Sequence, residues 1–304
     1  LLVSVTLLVS AACARDKNGF DLEGSLVPAE EIHLGGPLRD GIPSIDQPRF
    51  VVAMQADFLA DSDRVLGLVR GGQSRAYPVA IMNWHEVVND QVGRESIAIT
   101  FCPLCGTGVA FKSETRGMQL DFGVSGLLYN SDVLLYDRET ESLWSQLLMQ
   151  AIAGPLMGER LNAVPLVHTS WGAWRMEHPD TQVLSTETGF ERDYSRDPYA
   201  SYAGHSDIYF PVSAESSRYH PKERVLGVEI DGRFKAYPFA ELSRTGKQQI
   251  SDSFAGSLLT ISFDETHGVA RAFDQDGREL ATVTGFWFAW YAFHPGTEVF
   301  SADR

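Results

Sequence analysis

Val65-Leu66-Gly67-Leu68, Gly72 and Ala76-Tyr77-Pro78 return 160 residues later as Val225-Leu226-Gly227-Val228, Gly232 and Ala236-Tyr237-Pro238. A chain that uses one pattern twice is expected to build one supersecondary unit twice. Each copy reads as a hairpin, with β-favouring residues on both sides of a glycine turn. Phe101 matches Phe263, and after a two-residue shift Cys102 falls on Asp264, Cys105 on His267, Gly106 on Gly268 and Phe111 on Phe273. A second motif, Trp171, Trp174, His178-Pro179, Thr181 and Ser185, recurs 116 residues later as Trp287, Trp290, His294-Pro295, Thr297 and Ser301. The expected fold is α+β, mainly antiparallel β, built from two divergent copies of one β-rich unit. The first copy spans 51–189 and carries an insert over roughly 121–166, and the second spans 223–304. The stretch 190–222, rich in Tyr, Ser and Asp, reads as a long surface connection.

The chain has 304 residues, 44% hydrophobic and 21% charged, enough to bury a large core. Its net charge of -15 argues against nucleic acid or an anionic membrane surface as the main partner. Residues 1–12 form an apolar run ending in small residues, as an export signal does, without the Met and basic segment that usually precede one. Small residues before Cys13 also fit a lipoprotein cleavage site, at which Cys13 becomes the lipidated residue. A cleaved signal with an incidental cysteine is the other reading. Either places the protein outside the cytoplasm, periplasmic or on the outer face of the membrane, with a possible N-terminal lipid anchor as its membrane contact. Residues 14–50, rich in Gly, Pro and charge, read as an extended arm.

Residues shared by two copies are explained by the fold, whereas residues found in one copy need another reason. The Trp-x-x-Trp-x-x-x-His-Pro motif is in both, so its tryptophans are expected in the core and His178 and His294 are first of all structural histidines. Cys102 and Cys105 occur in the first copy only. So does His85, since counting from the shared Tyr-Pro places Thr245 opposite it. A helix is expected over 80–88, carrying His85, and a strand over 97–101 leading into the cysteines. The C-P-x-C-G turn lets both sulfurs point the same way while Gly106 takes φ > 0, the geometry of a thiolate metal knuckle. A thioredoxin-like site instead puts its second cysteine in the first turn of a helix, and Gly106-Thr107-Gly108 followed by an apolar run reads as turn and strand.

Trp84-His85-Glu86-Val87-Val88-Asn89-Asp90, Phe101-Cys102-Pro103-Leu104-Cys105-Gly106, Ser125-Gly126-Leu127-Leu128-Tyr129-Asn130-Ser131-Asp132 and Thr169-Ser170-Trp171-Gly172 resemble the bacterial domain-of-unknown-function family 3179. The resemblance runs from about Gly35 to the C-terminus. It implies a pattern that recurs in exported bacterial proteins, and it implies no activity.

Two thiolates and an imidazole suit Zn²⁺ or copper, so Cys102, Cys105 and His85 are expected to hold a copper or zinc ion. The fourth ligand is expected from His294, His178, Met82 or water. Met82 lies one helical turn before His85, where its thioether would favour Cu(I), and core packing is its alternative role. The function that follows is a metal-binding protein of the bacterial cell envelope. A thiol–disulfide redox protein using Cys102 and Cys105, an inert disulfide and a non-catalytic interaction module are the alternatives. Asp132, Asp137 and Glu139 cluster in the insert as paired carboxylates would, although an acidic chain also brings carboxylates together by chance. No G-x-S-x-G elbow or H-E-x-x-H occurs. Tyr194, Tyr199, Tyr202 and Tyr209 are expected to stack on a sugar or a partner, or to pack the connection.

Overall fold

The computed structural model describes residues 16–303. The N-terminal apolar run and Cys13, with the export and lipidation readings that rest on them, lie outside the described residues. Among the described residues no helix is long and apolar enough to cross a membrane. The fold is α+β and mainly antiparallel β.

Two hairpins carry the repeated pattern. Strand Arg64–Arg70 pairs with Gln73–Pro78, and Arg224–Ile230 pairs with Arg233–Pro238. Their two-residue loops, Gly71-Gly72 and Asp231-Gly232, have positive φ at both positions, the twist that suits a tight antiparallel turn. A third strand lies on the outer side of each, Val167–Ser170 against the first and Val283–Phe286 against the second. Helix α1 (Val79–His85) follows the first hairpin and α3 (Phe239–Arg244) the second; α2 (Trp171–Glu177) and α4 (Trp287–Phe293) follow the third strands. Gly67 and Gly227 are glycine because Trp174 and Trp290 lie directly on them; an added Cβ would come within 2.3 and 2.1 Å of the rings. Each indole N–H donates to a threonine, Trp174 to Thr181 at 2.9 Å and Trp290 to Thr297 at 3.0 Å. The tyrosines match too, Tyr77 donating to Asp90 at 2.6 Å and Tyr237 to Asp252 at 2.8 Å.

A three-stranded meander follows each hairpin and its helix. In the first, Val87–Val92, Glu95–Cys102 and Thr107–Lys112 pair in succession; in the second, Gln249–Phe254, Ser257–Asp264 and Val269–Phe273 do so. Helix α1 is shorter than expected. It stops at His85 because Glu86 takes a left-handed conformation (φ 58°), its N–H returns to Met82 O, and β-branched Val87 and Val88 start a strand.

The insert forms its own antiparallel sheet from Phe122–Tyr129, Asp132–Asp137, Leu143–Ser145 and Gln150–Ala153, with Ile32–Leu34 as the edge strand. The segment 14–50 is thus more than an arm. Val283–Phe286 of the second unit meets Thr107–Lys112 of the first at Thr284 and Gly108, which joins strands of both units into one eight-stranded sheet. One core continues through the join: Cys102, Cys105, Trp144, Tyr202, Val225, Trp287 and Trp290 pack in a single cluster.

Candidate metal centre

The cysteines sit where a strand ends and the chain reverses. Cys102 is the last residue of Glu95–Cys102 and pairs with Thr107, the first of the next strand, so residues 103–106 form the loop. Gly106 has φ +62° and closes it. Both thiols are free and buried, and both point toward Ser131 O, Cys105 Sγ at 3.3 Å and Cys102 Sγ at 3.8 Å.

Ser131 belongs to the insert. Asn130 and Ser131 both have positive φ and turn the chain between Phe122–Tyr129 and Asp132–Asp137. That turn places Asp132 over the cysteine loop. One ligand atom from each of Cys102, Cys105 and Asp132 lies within 4.8 Å of the other two. Asp132 is held from the far side: Oδ2 accepts from Leu147 N at 3.2 Å, and Oδ1 lies 3.4 Å from the hydroxyl of Thr107, which also donates to Gln146 Oε1 at 2.7 Å. Gln146 is fixed in turn by donating to Thr100 at 2.9 Å. Ser131 Oγ is buried with no hydrogen-bond partner.

Glu86 is a fourth acid of the same buried neighbourhood. Burial pushes its carboxyl up to about 8, with the charge of Asp132 adding to the effect. Burial likewise raises Asp132 to about 7, against opposing hydrogen bonds from the Leu147 amide and the two thiols. Both thiols are pushed up, first by burial, and Cys105 further by Cys102 and Asp132. Among the described residues no ion pair joins Glu86 or Asp132 to a basic side chain. Two thiols and two carboxyls packed together without an ion-pair partner are groups whose ionised forms a bound metal cation would stabilise.

The connecting segment roofs this cluster. Tyr199 and Tyr202 are raised by burial and next by the acids beneath them, Glu86 and Cys102 for Tyr199, the two cysteines for Tyr202. Lys222 lies 3.7 Å over the Tyr202 ring and gives its ammonium to Asp207 O at 2.6 Å; burial lowers it to about 8. Residues 190–222 are therefore a lid on the core as much as a surface connection.

The structure brings together only part of the expected ligand set. His85 does not join the cysteines: its Nδ1 bonds Pro43 O at 2.8 Å and its Nε2 bonds Tyr194 OH at 2.6 Å. His178 packs tilted against Trp174 at 4.1 Å between ring centroids, and His294 stacks on Phe234 at 3.8 Å. Met82 is fully buried in a separate apolar cluster with Leu66, Tyr77 and Ile99. Asp137, the second carboxylate of the expected acidic cluster, binds Thr140 and the Trp144 indole, away from the thiols. Sequence reasoning missed Asp132 and Glu86 as partners of the cysteines. Their signal was present, since Asn130-Ser131-Asp132 and His85-Glu86 stand in the family-like motifs.

The family described as "Protein of unknown function (DUF3179)" matches residues 39–297. No curated protein and no solved structure matches the chain.

Proposed function

Because this chain belongs to the DUF3179 family, whose function is unknown, its activity has to be read from its own residues, and we propose that it is a metal-binding protein of the bacterial cell envelope. The observation that carries this reading is the convergence of Cys102, Cys105 and Asp132 within 4.8 Å in a buried cluster. Two thiolates with a carboxylate make a donor set for zinc, whose ligands are Cys S, His N and Asp or Glu O in tetrahedral sites. Copper is the other metal of this reading. Cu(I) prefers thiolate and thioether, and the place of the imidazole or Met82 is taken here by an oxygen, so zinc is favoured. Glu86, whose charge is felt at Cys102, adds to the negative surroundings that a bound cation would balance. The envelope location rests on the apolar N-terminal run, and Cys13 as a lipid-modified residue is part of the same proposal.

Thiol–disulfide exchange is disfavoured by the same surroundings. A reactive cysteine needs a lowered pKa and access, whereas these two thiols are raised, buried and set in a β-turn. The test is metal analysis of protein purified reduced and without oxygen. One equivalent of zinc that survives dialysis, is lost in Cys102→Ser, is weakened in Asp132→Asn and persists in His85→Ala supports the reading. Metal-free protein that exchanges disulfides with a model dithiol would overturn it.

A further inference from the structure

Arg64 and Arg224 hold matching positions, each the first residue of its repeated hairpin. They converge on one backbone turn. Arg64 donates to His267 O at 2.7 Å and to Gly268 O at 3.4 Å, and Arg224 donates to Gly268 O at 3.0 Å. Gly268 has φ +59°, and an added Cβ there would lie 2.9 Å from Arg224 Nη1, so a side chain would strain the backbone and displace that guanidinium.

These acceptors are neutral carbonyls. Among the described residues every other arginine is either ion-paired to a carboxylate or exposed, whereas Arg64 and Arg224 are half-buried with no carboxylate partner. Glu223 is adjacent to Arg224 but accepts from Ala240 N instead. Burial lowers Arg64 to about 10 and Arg224 to about 9, and for Arg224 the nearby Arg64 adds repulsion. In a protein of net charge -15, two unneutralised guanidinia side by side stand apart from the rest of the molecule.

Both arginines line one cavity of about 270 Å³, between the outer side of the cysteine loop at Pro103 and Gly106 and the roof residues Tyr199 and Tyr202. Asp197 also borders it, with its Oδ1 engaged by Asn83 Nδ2 at 2.9 Å and Tyr199 N at 2.8 Å. Both Nε groups and Nη2 of Arg224 make no hydrogen bond to the protein among the described residues. Paired guanidinium donors with free N–H groups are suited to the oxygens of carboxylate, phosphate or sulfate. We infer that this cavity binds a small oxyanion, clamped between Arg64 and Arg224 on the solvent side of the cysteine loop. Its size admits an inorganic ion or the head of a short acid, since it is below the range usual for drug-sized ligands.

The test is isothermal titration of full-length protein with phosphate, sulfate and acetate at constant ionic strength held by chloride. Saturable one-site binding of any of these is expected: phosphate and sulfate binding assigns a tetrahedral anion, and acetate binding alone assigns a carboxylate. Arg64→Gln and Arg224→Gln should each weaken it by roughly tenfold or more, as loss of a charge-assisted contact does. Arg94→Gln, at an exposed arginine without an ion pair, should leave it unchanged. If the arginine variants fail to fold, amide resonances in the wild type decide: phosphate, sulfate or acetate should shift those of Gly106 and Gly268. No saturable binding by any of the three, equal binding in the arginine variants, or shifts confined to other residues would refute the inference.

Discussion

The two turns Cys102–Thr107 and Asp264–Val269 share a backbone and little else. In both, the flanking residues pair directly and the glycine before the second strand has positive φ, +62° at Gly106 and +59° at Gly268. In both, the second strand of the meander is tied back by one hydrogen bond, Phe101 N to Glu86 O at 2.8 Å and Phe263 N to Gln248 O at 2.9 Å. Yet the first turn presents two buried thiols beside two buried acids, while the second presents an exposed aspartate bonded to His267 at 2.7 Å, with Gln248 exposed. The difference lies in what covers them. Between the meander and the next unit strand the first unit carries residues 113–166, and the second only 274–282. The insert lays Ser131 and Asp132 over the first turn, and the connecting segment closes it with Tyr199 and Tyr202. A repeated frame holds both turns, and the added layer makes one of them a candidate site.

The largest expected effect separates the turns by metal. Cys105→Ser should lower zinc affinity on the order of a thousandfold or more, because a thiolate ligand carries much of the binding energy of a small zinc site. His267→Ala, at the matching place, should leave metal content unaltered, and equal metal loss in both variants would abolish the distinction. Next, Gly67→Ala and Gly227→Ala should each cost about 3 kcal/mol in urea unfolding, since each forces a methyl group into a tryptophan ring. A loss at one position without the other would break the equivalence of the two frames.

A pH-dependent effect follows from Glu86. Its folded pKa of about 8 lies above the ordinary 4.5, so the folded protein holds a proton that the unfolded chain releases between these values. Metal-free protein should therefore lose stability as pH rises through that window. Glu86→Gln removes this loss and should stabilise the metal-free protein by up to about 4 kcal/mol at pH 8, the gain vanishing near pH 4. Gln248→Glu, at the exposed matching position, should change denaturant midpoints little at either pH. Smallest of all, Asp264→Asn removes a surface pair with His267 and should cost less than about 1 kcal/mol, declining further in salt. A larger loss there would mean that the second turn carries a structural load of its own.

The turn geometry at Cys102 and Cys105 was legible because it is local: residue spacing, a proline and a glycine are enough to set a four-residue loop. The choice of His85 over Glu86 shows where local reading ends. Adjacent residues at a helix end point in different directions once Glu86 adopts a left-handed cap, and His85 leaves to bond Pro43 and Tyr194. The carboxylate that does meet the thiols arrives from another hairpin, positioned by two positive-φ residues, Asn130 and Ser131, neither of them glycine.

From residues alone came the two hairpins around their glycine turns, the tryptophans as core residues and the cysteine loop. All of these depend on contacts or conformations encoded within a short stretch, repeated at a constant spacing. Only the tertiary structure decided that strands of both units share one sheet, that Asp132 rather than His85 faces the thiols, and that Arg64 and Arg224 meet at Gly268. Such meetings join positions far apart in the chain, and burial, which shifts Glu86 and Asp132 toward neutrality, exists only once those positions have packed.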